Sequence, residues 1–359
     1  MCSSWQHDQV KTFVAGKKLN MLKNQHVLVT GGAGFIGSHL VPRLVEMGAT
    51  VRVADNLERG KFENLGEIGD AVDFQEEDLR DLAACRRVCQ GIDVVFHLAS
   101  KVGGIGYYLS RPAEVMGDNT LIDTFMLRAA VEAGVSRYLY AGSAHVYPIE
   151  LQGSPDSPLI REEQAIPAHP ELSYGWAKLM GEKQIEYAIQ EGASLRAAIV
   201  RIIGAYGPRQ DLNLATGSAI PVFTRRAIEY PAKGPFVVLG TGAETRSYCY
   251  IDDIIDGFLA AVRKMDQQQL VGPVNLGAEG RITIGDLAQE VIRISGKDIK
   301  ISWDSSHPTV IWGQALDCSL AKEVLDGWMP KISLREGLQR VYSQVEKDLQ
   351  QATLAKANA

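Results

Sequence analysis

Short apolar runs recur through the first 200 residues, and segments long enough for a helix separate most of them. The runs are rich in β-branched and aromatic residues, which is typical of buried strands. They are HVLVT (26–30), VRVAD (51–55), AVDFQ (71–75), DVVFHLA (93–99), RYLYAGS (137–143) and LRAAIVRI (195–202). Strands that alternate with helices in this way form a parallel sheet with helices on both faces. The pattern therefore predicts an α/β fold with a doubly wound parallel sheet, a Rossmann fold.

Beyond residue 203 the apolar segments become shorter and richer in Gly and Pro, as in FVVLG (236–240) and YCYID (248–252). Helical patterns follow near 252–265, 285–295 and 333–349, and VNLG (274–277) is suited to return a strand to the main sheet. We expect an N-terminal tail (1–23), a Rossmann domain (24–203), a smaller second lobe (204–350) and a C-terminal tail (351–359).

The turn TGGAGFIG lies between the first predicted strand and the first predicted helix, with Gly31, Gly34 and Gly37 spaced three apart. Glycines there allow a tight turn, let the backbone approach a pyrophosphate and permit close helix packing, while the helix N-terminus attracts the phosphates. Asp55 ends the second strand, where a carboxylate bonds a ribose 2′-OH and repels a 2′-phosphate. The residues predict NAD as the cofactor in preference to NADP.

The segment SYGWAK places Tyr174 and Lys178 four residues apart, so a helix presents both on one face. We expect the ammonium to lower the pKa of the phenol, which makes tyrosinate available as a general base near neutral pH. Ser143, at the end of RYLYAGS, is placed to share the proton. These residues predict a Ser–Tyr–Lys proton-transfer group.

Taken together, TGGAGFIG, Asp55, Ser143 and YGWAK resemble the extended short-chain dehydrogenases that act on nucleotide sugars, over residues 24–348. Further segments resemble the GDP-mannose 3,5-epimerases and, secondarily, the GDP-fucose synthases. They are KVGGIGYY (101–108), AEVMGDNT (113–120), SAHVYP (143–148), AYGPR (205–209) and TGAETRSYCYIDD (241–253). The resemblance implies tightly held NAD, a nucleotide-sugar substrate with a GDP-hexose favoured, and a homodimer joined by a four-helix bundle.

The resemblance also implies roles for individual residues. Arg246 is expected at the nucleotide diphosphate or ribose, and Met116, Gly117 and Asn119 at the sugar. The expected NAD contacts are Gly31, Gly34, Phe35, Ile36, Gly37, Asp55, Asn56, Asp78, Leu79, Leu98, Ala99, Lys101, Tyr174 and Lys178. Asp78 is suited to the adenine amino group, with a solvated acidic turn as the alternative. The expected substrate contacts are Gly103, Met116, Asn119, Ser143, Ala144, His145, Ser218, Arg226 and Arg246.

The chain departs from the 3,5-epimerases at the positions that move protons. His145 stands where those families have a cysteine, and Ser218 stands where they have a lysine or histidine. Gly204 replaces an Asn, and 311–314 lacks an expected Arg. The acids that a 4,6-dehydratase or a uronic acid decarboxylase carries at 144 and 145 are absent. His145 is thus either the single remaining proton carrier or a structural histidine, and the sugar or base can differ from GDP-mannose.

Three functions remain open from the sequence. The first is an epimerase acting through a 4-keto sugar, with Ser143, His145, Tyr174 and Lys178 as catalytic residues. In it, either C4 alone or a carbon beside C4 is inverted. The second is a C4-dehydrogenase that releases the keto sugar, and the third is a non-catalytic scaffold that binds RNA or a protein. The intact proton-transfer group favours an enzyme.

Composition narrows the classes further. Hydrophobic residues make up 46% and charged residues 22%, with a formal charge of −6, so we expect a globular enzyme that does not bind nucleic acid. The five cysteines are odd in number, and only Cys85 and Cys89, one helical turn apart, could form a two-ligand site. We expect small helix residues there and no metal. Residues 1–22 lack the apolar stretch of a signal peptide and the chain lacks a membrane-length one, which predicts a cytoplasmic, non-membrane protein.

Overall fold

The computed structural model describes residues 21–306 and 311–357. Most of the predicted N-terminal tail lies outside the described residues. The chain is built around a seven-stranded parallel sheet with the strand order β11-β6-β5-β4-β1-β2-β3. Its strands are β1 His26–Thr30, β2 Thr50–Asp55, β3 Asp73–Glu76, β4 Val94–His97, β5 Arg137–Ser143, β6 Arg196–Ile202 and β11 Leu270–Leu276. The doubly wound parallel sheet predicted from the apolar runs is confirmed.

Helices cover both faces of this sheet. The helices of the sheet and of the second lobe are, in chain order, α1 Phe35–Glu46, α2 Leu82–Cys89, α3 Ile105–Ser110, α4 Pro112–Glu132, α5 Ser173–Gln190, α6 Ala219–Glu229, α7 Ile251–Lys264, α8 Ile284–Ser295, α9 Ser319–Val324 and α10 Leu334–Ala357. Val27 and Val29 of β1 belong to the core cluster on one face of the sheet, whereas Leu28 belongs to the cluster on the other. Burial on both faces explains why the strands read as continuous apolar runs.

Short strands and bridges shape the second lobe. They are β7 Ala205–Tyr206, β8 Phe236–Leu239, β9 Thr245–Arg246, β10 Cys249–Tyr250, β12 Ile282–Thr283, β13 Ile301–Asp304 and β14 Gly313–Gln314. β7 pairs with β10, β8 with β13, and β9 lies between β12 and β14. β11 runs parallel to β6, so the segment 274–277 does return to the main sheet.

Several boundaries differ from the sequence prediction. A 3₁₀ segment, Phe62–Ala71, occupies the start of the run AVDFQ, so β3 begins at Asp73. In YCYID the strand ends at Tyr250, because Ile251 already opens α7. The last helix continues to Ala357, beyond residue 350, where the sequence analysis ended the second lobe.

The strand order reverses beside β1, which has β2 on one side and β4 on the other. Open α/β sheets bind ligands in the crevice at the carboxyl ends of the strands at such a switch point. Thr30, His97 and Ser143 end β1, β4 and β5 at this edge.

Candidate active site

The glycine turn at the end of β1 has no room for larger side chains. Gly31 has a φ of +67°, and a Cβ there would lie 2.9 Å from the backbone nitrogen of Ala99. A Cβ on Gly37 would lie 2.4 Å from the carbonyl oxygen of Gly31. Gly34 precedes α1 and, having no side chain, leaves the N–H groups of the first turn uncapped. This bare turn at a helix N-terminus suits a pyrophosphate.

The carboxylate of Asp55 is held against the same turn. It accepts hydrogen bonds from the backbone N–H groups of Ala33 at 3.0 Å and Leu57 at 2.9 Å. Burial raises the pKa of Asp55, and these hydrogen bonds oppose the rise. A Cβ on Gly60 would lie 2.8 Å from both carboxylate oxygens of Asp55, so the Gly60 backbone packs against this carboxylate. Asp55 thus stands beside the glycine turn, where the sequence analysis placed it.

Two of the expected NAD contacts lie in an ionic cluster. Asp78 bonds the guanidinium of Arg80, which lowers the pKa of Asp78 and leaves its oxygens engaged. Lys101 has a side chain only 9% exposed, and its Nζ lies within 3.1 Å of carboxylates from three residues, Glu58, Glu114 and Asp118. Arg80 also contacts Asp118 at 2.8 Å. Asp78 and Lys101 therefore stay predicted NAD contacts, and both take part in this ionic cluster.

Apart from Tyr174 and Lys178 of α5, the remaining expected NAD contacts follow the carboxyl ends of β1 to β4. Phe35 and Ile36 open α1, partly buried. Asn56 is exposed after β2, and Leu79 is buried before α2. Leu98 and Ala99 follow β4, and their backbone N–H groups donate to the Thr30 hydroxyl at 3.0 and 3.1 Å.

Tyr174 lies near the start of α5 and is 8% exposed. Burial raises its pKa to about 12, the charge of Asp123 adds to the rise, and the hydroxyls of Ser100 and Ser143 lower it. This result differs from the sequence expectation of a phenol that ionises near neutral pH. The physical reason is that desolvation of the phenolate outweighs the stabilisation that neighbouring groups supply.

The hydroxyls of Ser100 and Ser143 differ in whether their proton is available to Tyr174. Ser100 donates its proton to the amide oxygen of Asn119 at 2.6 Å. Ser143 accepts from the backbone N–H of His145 at 3.2 Å, so its own proton is free to point at the Tyr174 oxygen. A serine hydroxyl has one proton. Ser143 is therefore the better donor to a tyrosinate.

Lys178, one turn after Tyr174, directs its ammonium at Asp123. Nζ lies 3.4 Å from Oδ1 of Asp123, and the two side chains are 1% and 2% exposed. Nζ also lies 4.6 Å from the centre of the Tyr140 ring, whose hydroxyl donates to Asp123 Oδ2 at 2.6 Å. Burial alone would raise the pKa of Asp123, but Lys178 and the hydrogen bonds lower it overall. Sequence reasoning missed this ion pair.

His97 completes the buried network with a defined tautomer. Its Nδ1 lies 2.8 Å from the Thr30 hydroxyl, and its Nε2 lies 3.1 Å from Asp123 Oδ1. Because two backbone N–H groups already donate to Thr30, the Thr30 proton goes to Nδ1 and the Nε2 proton goes to Asp123. Burial lowers the pKa of His97, in agreement with a neutral ring.

Three aromatic rings meet beside the carboxyl end of β5. Tyr108 stacks on Tyr174 with ring centres 5.0 Å apart and an interplanar angle of 13°. His145 meets Tyr174 edge-on at 5.9 Å and Tyr108 at 6.0 Å. Burial, with a contribution from the charge of Arg246, lowers the pKa of His145 to about 4. Tyr108 was not among the expected site residues, although the motif KVGGIGYY contains it.

Only some of the expected substrate contacts lie near Tyr174. Ala144 and His145 stand beside Tyr174, and the effect of Arg246 on His145 places this arginine near them. The Arg246 guanidinium donates to the carbonyls of Thr245 at 2.7 Å and Ile311 at 2.8 Å. Gly103 lies in the loop before α3, where its neighbour Gly104 bonds the second lobe.

Four expected substrate contacts have other surroundings. Asn119 is completely buried, and its amide forms hydrogen bonds with the backbone N–H and carbonyl of Lys101. These hydrogen bonds fix the backbone at Lys101 rather than serve the expected sugar contact. Met116 is 37% exposed on α4. Ser218 is exposed at the start of α6, and Arg226 donates to the carbonyl of Val237.

Two classes of feature are absent from the part of the chain that the structure describes. It contains no cluster of three or more His, Cys, Asp or Glu side chains suited to a metal ion. Cys85 and Cys89 are buried, and burial raises the pKa of both thiols to about 12, which disfavours the thiolates a metal would need. Among the same residues, no helix combines the length and apolar character needed to cross a bilayer.

Comparisons with known proteins agree with this geometry. GDP-mannose 3,5-epimerase of Arabidopsis thaliana is 31% identical over 330 residues, which cover 91% of this chain and 84% of the relative. UDP-glucuronic acid decarboxylase 3 of the same plant is 32% identical and covers 88% of this chain and 87% of its own. The solved structure of the Thermotoga maritima UDP-glucose 4-epimerase with UDP-glucose has a TM-score of 0.78 at 28% identity and covers 90% of this chain and 99% of its own.

The NAD complex of the Thermus thermophilus UDP-glucose 4-epimerase superposes with a TM-score of 0.75 at 25% identity, over 89% of this chain and 98% of its own. The sequence profile of the NAD dependent epimerase/dehydratase family matches residues 27–277. With the glycine turn, Asp55 and the buried Tyr174 at one edge of the sheet, the chain belongs to the NAD-dependent epimerase/dehydratase family, and NAD is its cofactor.

Proposed function

We propose that this protein is a nucleotide-sugar epimerase that works through a 4-keto intermediate and inverts one carbon beside C4. The observation that carries the proposal is the imidazole of His145 next to the phenol of Tyr174, with ring centres 5.9 Å apart. One group of this pair serves the C4 hydroxyl, and the other is left for a C–H bond beside it.

In this proposal the deprotonated form of Tyr174 accepts the proton of the C4 hydroxyl and returns it when the ketone is reduced again. NAD, which the glycine turn and Asp55 would hold, would supply the acceptor for the C4 hydride and its donor on the return step. Ser143 donates a hydrogen bond to the phenolate oxygen, since its own oxygen accepts from the backbone N–H of His145. Lys178, held by Asp123, adds a fixed positive charge on the same helix.

His145 is suited to be the base at carbon. With a pKa of about 4, its ring is neutral at physiological pH and able to accept a proton. A C–H bond next to a ketone is acidified because the resulting negative charge moves to the carbonyl oxygen. The proposal therefore assigns the proton of C3 or C5 to His145. With the exposed Ser218 in place of the lysine or histidine that the resemblance leads one to expect, inversion at a single carbon is favoured.

A second candidate is inversion of C4 alone, in which the keto sugar turns over before it is reduced. The favouring observation is the likeness to solved UDP-glucose 4-epimerases, at 28% identity for the Thermotoga protein. This reaction needs Tyr174 but gives His145 no chemical step. The two candidates differ in whether a carbon-bound proton is exchanged with water.

We further propose a GDP-hexose as substrate and a homodimer as the active form. The GDP preference rests on the likeness to the GDP-mannose 3,5-epimerases. For the dimer, α4 and α5 present four apolar side chains that are more than a third exposed: Leu121, Val131, Met180 and Tyr187. Light scattering of a Leu121→Glu/Tyr187→Glu variant should show a monomer if a second copy covers this face.

Turnover in D₂O tests the function. The purified enzyme is incubated with GDP-mannose and, separately, with UDP-glucose, and the product is analysed by NMR. The expected result is an inverted carbon that carries deuterium at C3 or C5, with no net consumption of added NAD. An inverted C4 without deuterium would replace the proposal by the second candidate. Accumulation of a keto sugar with stoichiometric NADH would indicate a dehydrogenase.

A further inference from the structure

We propose that Tyr108 is the second proton carrier of this site: it donates its phenol proton to the carbon from which His145 removes one, on the opposite face of the sugar. This inference rests on the proposed function, because it supplies the acid that inversion beside C4 requires. Removal and return by His145 alone would restore the original configuration. By the resemblance to the 3,5-epimerases, the second proton carrier would stand at the position of Ser218, which lies exposed at the start of α6.

The three rings stand together at one point of the crevice. A proton carrier works within a reach of about 2.6–3.2 Å, so two carriers that share one carbon must belong to neighbouring side chains. The ring centres of His145 and Tyr108 are 6.0 Å apart, at an angle of 68°. Tyr108 also stacks on Tyr174, which serves the neighbouring C4 position in the proposed mechanism. All three groups therefore face one small region.

The position of Tyr108 is fixed by contacts to the second lobe. The ring belongs to α3 and is 6% exposed. Just before it, the backbone N–H of Gly104 donates to the carbonyl of Thr216 at 3.1 Å. Arg59 ties the same loop down, since its guanidinium donates to the carbonyl of Val102 and bonds Asp211 at 2.9 Å. A catalytic acid needs such a fixed position.

Tyr108 and His145 have the protonation states that an acid and a base require. Burial, with the neighbouring Tyr174, raises the pKa of Tyr108, while the backbone N–H of Gly103 partly opposes this. Tyr108 is therefore a protonated donor at neutral pH. Burial lowers the pKa of His145 to about 4, so His145 is an unprotonated acceptor. Environments that push two pKa values apart in this way mark an acid and a base.

A ring nitrogen of His145 takes the proton from the carbon beside the C4 ketone, and the electron pair of the C–H bond forms an enolate. The Tyr108 hydroxyl then gives its proton to the same carbon from the other face, and the electron pair returns to form the new C–H bond. Imidazolium loses its proton to water and tyrosinate regains one, so both residues return to their starting state.

Tyr108→Phe tests the inference because it keeps the ring that stacks on Tyr174 and removes only the hydroxyl. In D₂O the variant should still exchange deuterium into recovered substrate through His145, with retained configuration. Inverted product should fall by about 10²-fold or more, the usual contribution of a general acid. Tyr107→Phe is the matched control, because Tyr107 lies next in sequence, its ring also contacts Tyr108 at 6.3 Å, and the substitution likewise removes only a hydroxyl. It should invert the sugar as the wild type does.

Two results would overturn the inference. Inversion by Tyr108→Phe within a few-fold of wild type would show that another group is the acid. Loss of both exchange and inversion, in a variant that still binds NAD and unfolds at the wild-type urea concentration, would mean that the hydroxyl supports Tyr174 or His145. The wild-type protein is tested in parallel. If its inverted product contains no deuterium at C3 or C5, the proposed function itself fails and the inference fails with it.

Discussion

The buried pair of Lys178 and Asp123 makes a quantitative prediction about folding stability. At 3.4 Å and an effective dielectric constant of about 20, two unit charges attract by about 5 kcal/mol. Removing one partner of a fully buried pair costs about 3–5 kcal/mol, because the other charge is left without compensation. Asp123→Asn should therefore lower the free energy of unfolding by about 3–5 kcal/mol at neutral pH.

Lys178→Met should cost less than Asp123→Asn. In that variant Asp123 still accepts hydrogen bonds from Tyr140 at 2.6 Å and from His97 at 3.1 Å, so its charge is partly stabilised. The double variant removes both buried charges. Its loss of stability should be smaller than the sum of the single losses by about 1–3 kcal/mol, the usual coupling between residues in contact.

Urea denaturation of the four proteins, followed by circular dichroism, measures this coupling. Glu186→Gln is the control, because Glu186 pairs with Lys183 at 2.7 Å on the same helix, and this pair is partly exposed. Its effect should be small, as for most surface pairs. Additivity of the single losses within about 0.5 kcal/mol would refute the reasoning, since it would mean that the two charges do not interact.

Three further outcomes follow from the site. Tyr174→Phe should lower turnover by about 10²-fold or more and leave NAD on the purified protein; a loss of only a few-fold would exclude the phenol as the base. Gly37→Ala should release NAD, because its Cβ would lie 2.4 Å from the Gly31 oxygen, whereas Gly280→Ala, with open space around it, should retain NAD. Burial lowers the pKa of His145 to about 4, so the unfolded chain binds more protons than the folded protein between about pH 4 and 6.5. The free energy of unfolding should therefore fall as the pH falls through that window. In urea titrations at several pH values, His145→Ala should show a shallower fall.

Local requirements of the chain made much of the fold predictable. The strand runs are recognisable because both faces of a parallel sheet are buried, so each strand is apolar throughout. The glycine turn is recognisable because Gly31 has a positive φ and Gly37 lies against the Gly31 carbonyl, where no side chain fits. Tyr174 and Lys178 share a helix face through their spacing alone. Each of these features is set by residues close together in sequence.

The features that were missed join residues far apart in sequence. Asp123 reaches Lys178 only because α4 packs against α5, and its residue type alone gives no sign of the partner. Lys101 is one of the expected NAD contacts, yet carboxylates from two other segments, Glu58 and Glu114, surround its ammonium. Asn119 lies in a motif shared with nucleotide-sugar enzymes, but its amide fixes the neighbouring loop. Partner choice at such positions is decided by tertiary packing, which no local pattern encodes.

Overall identity does not separate epimerases from decarboxylases for this chain, since the values are 31% and 32%. The chemistry of the site separates them better. A 4-keto uronic acid loses its carboxylate without a base at carbon, because the bond that breaks joins two carbons. Inversion needs an unprotonated group to take a proton and a protonated group to return one. His145, with its pKa near 4, and Tyr108, with its raised pKa, are such a pair. This pairing supports the epimerase proposal more directly than sequence identity does.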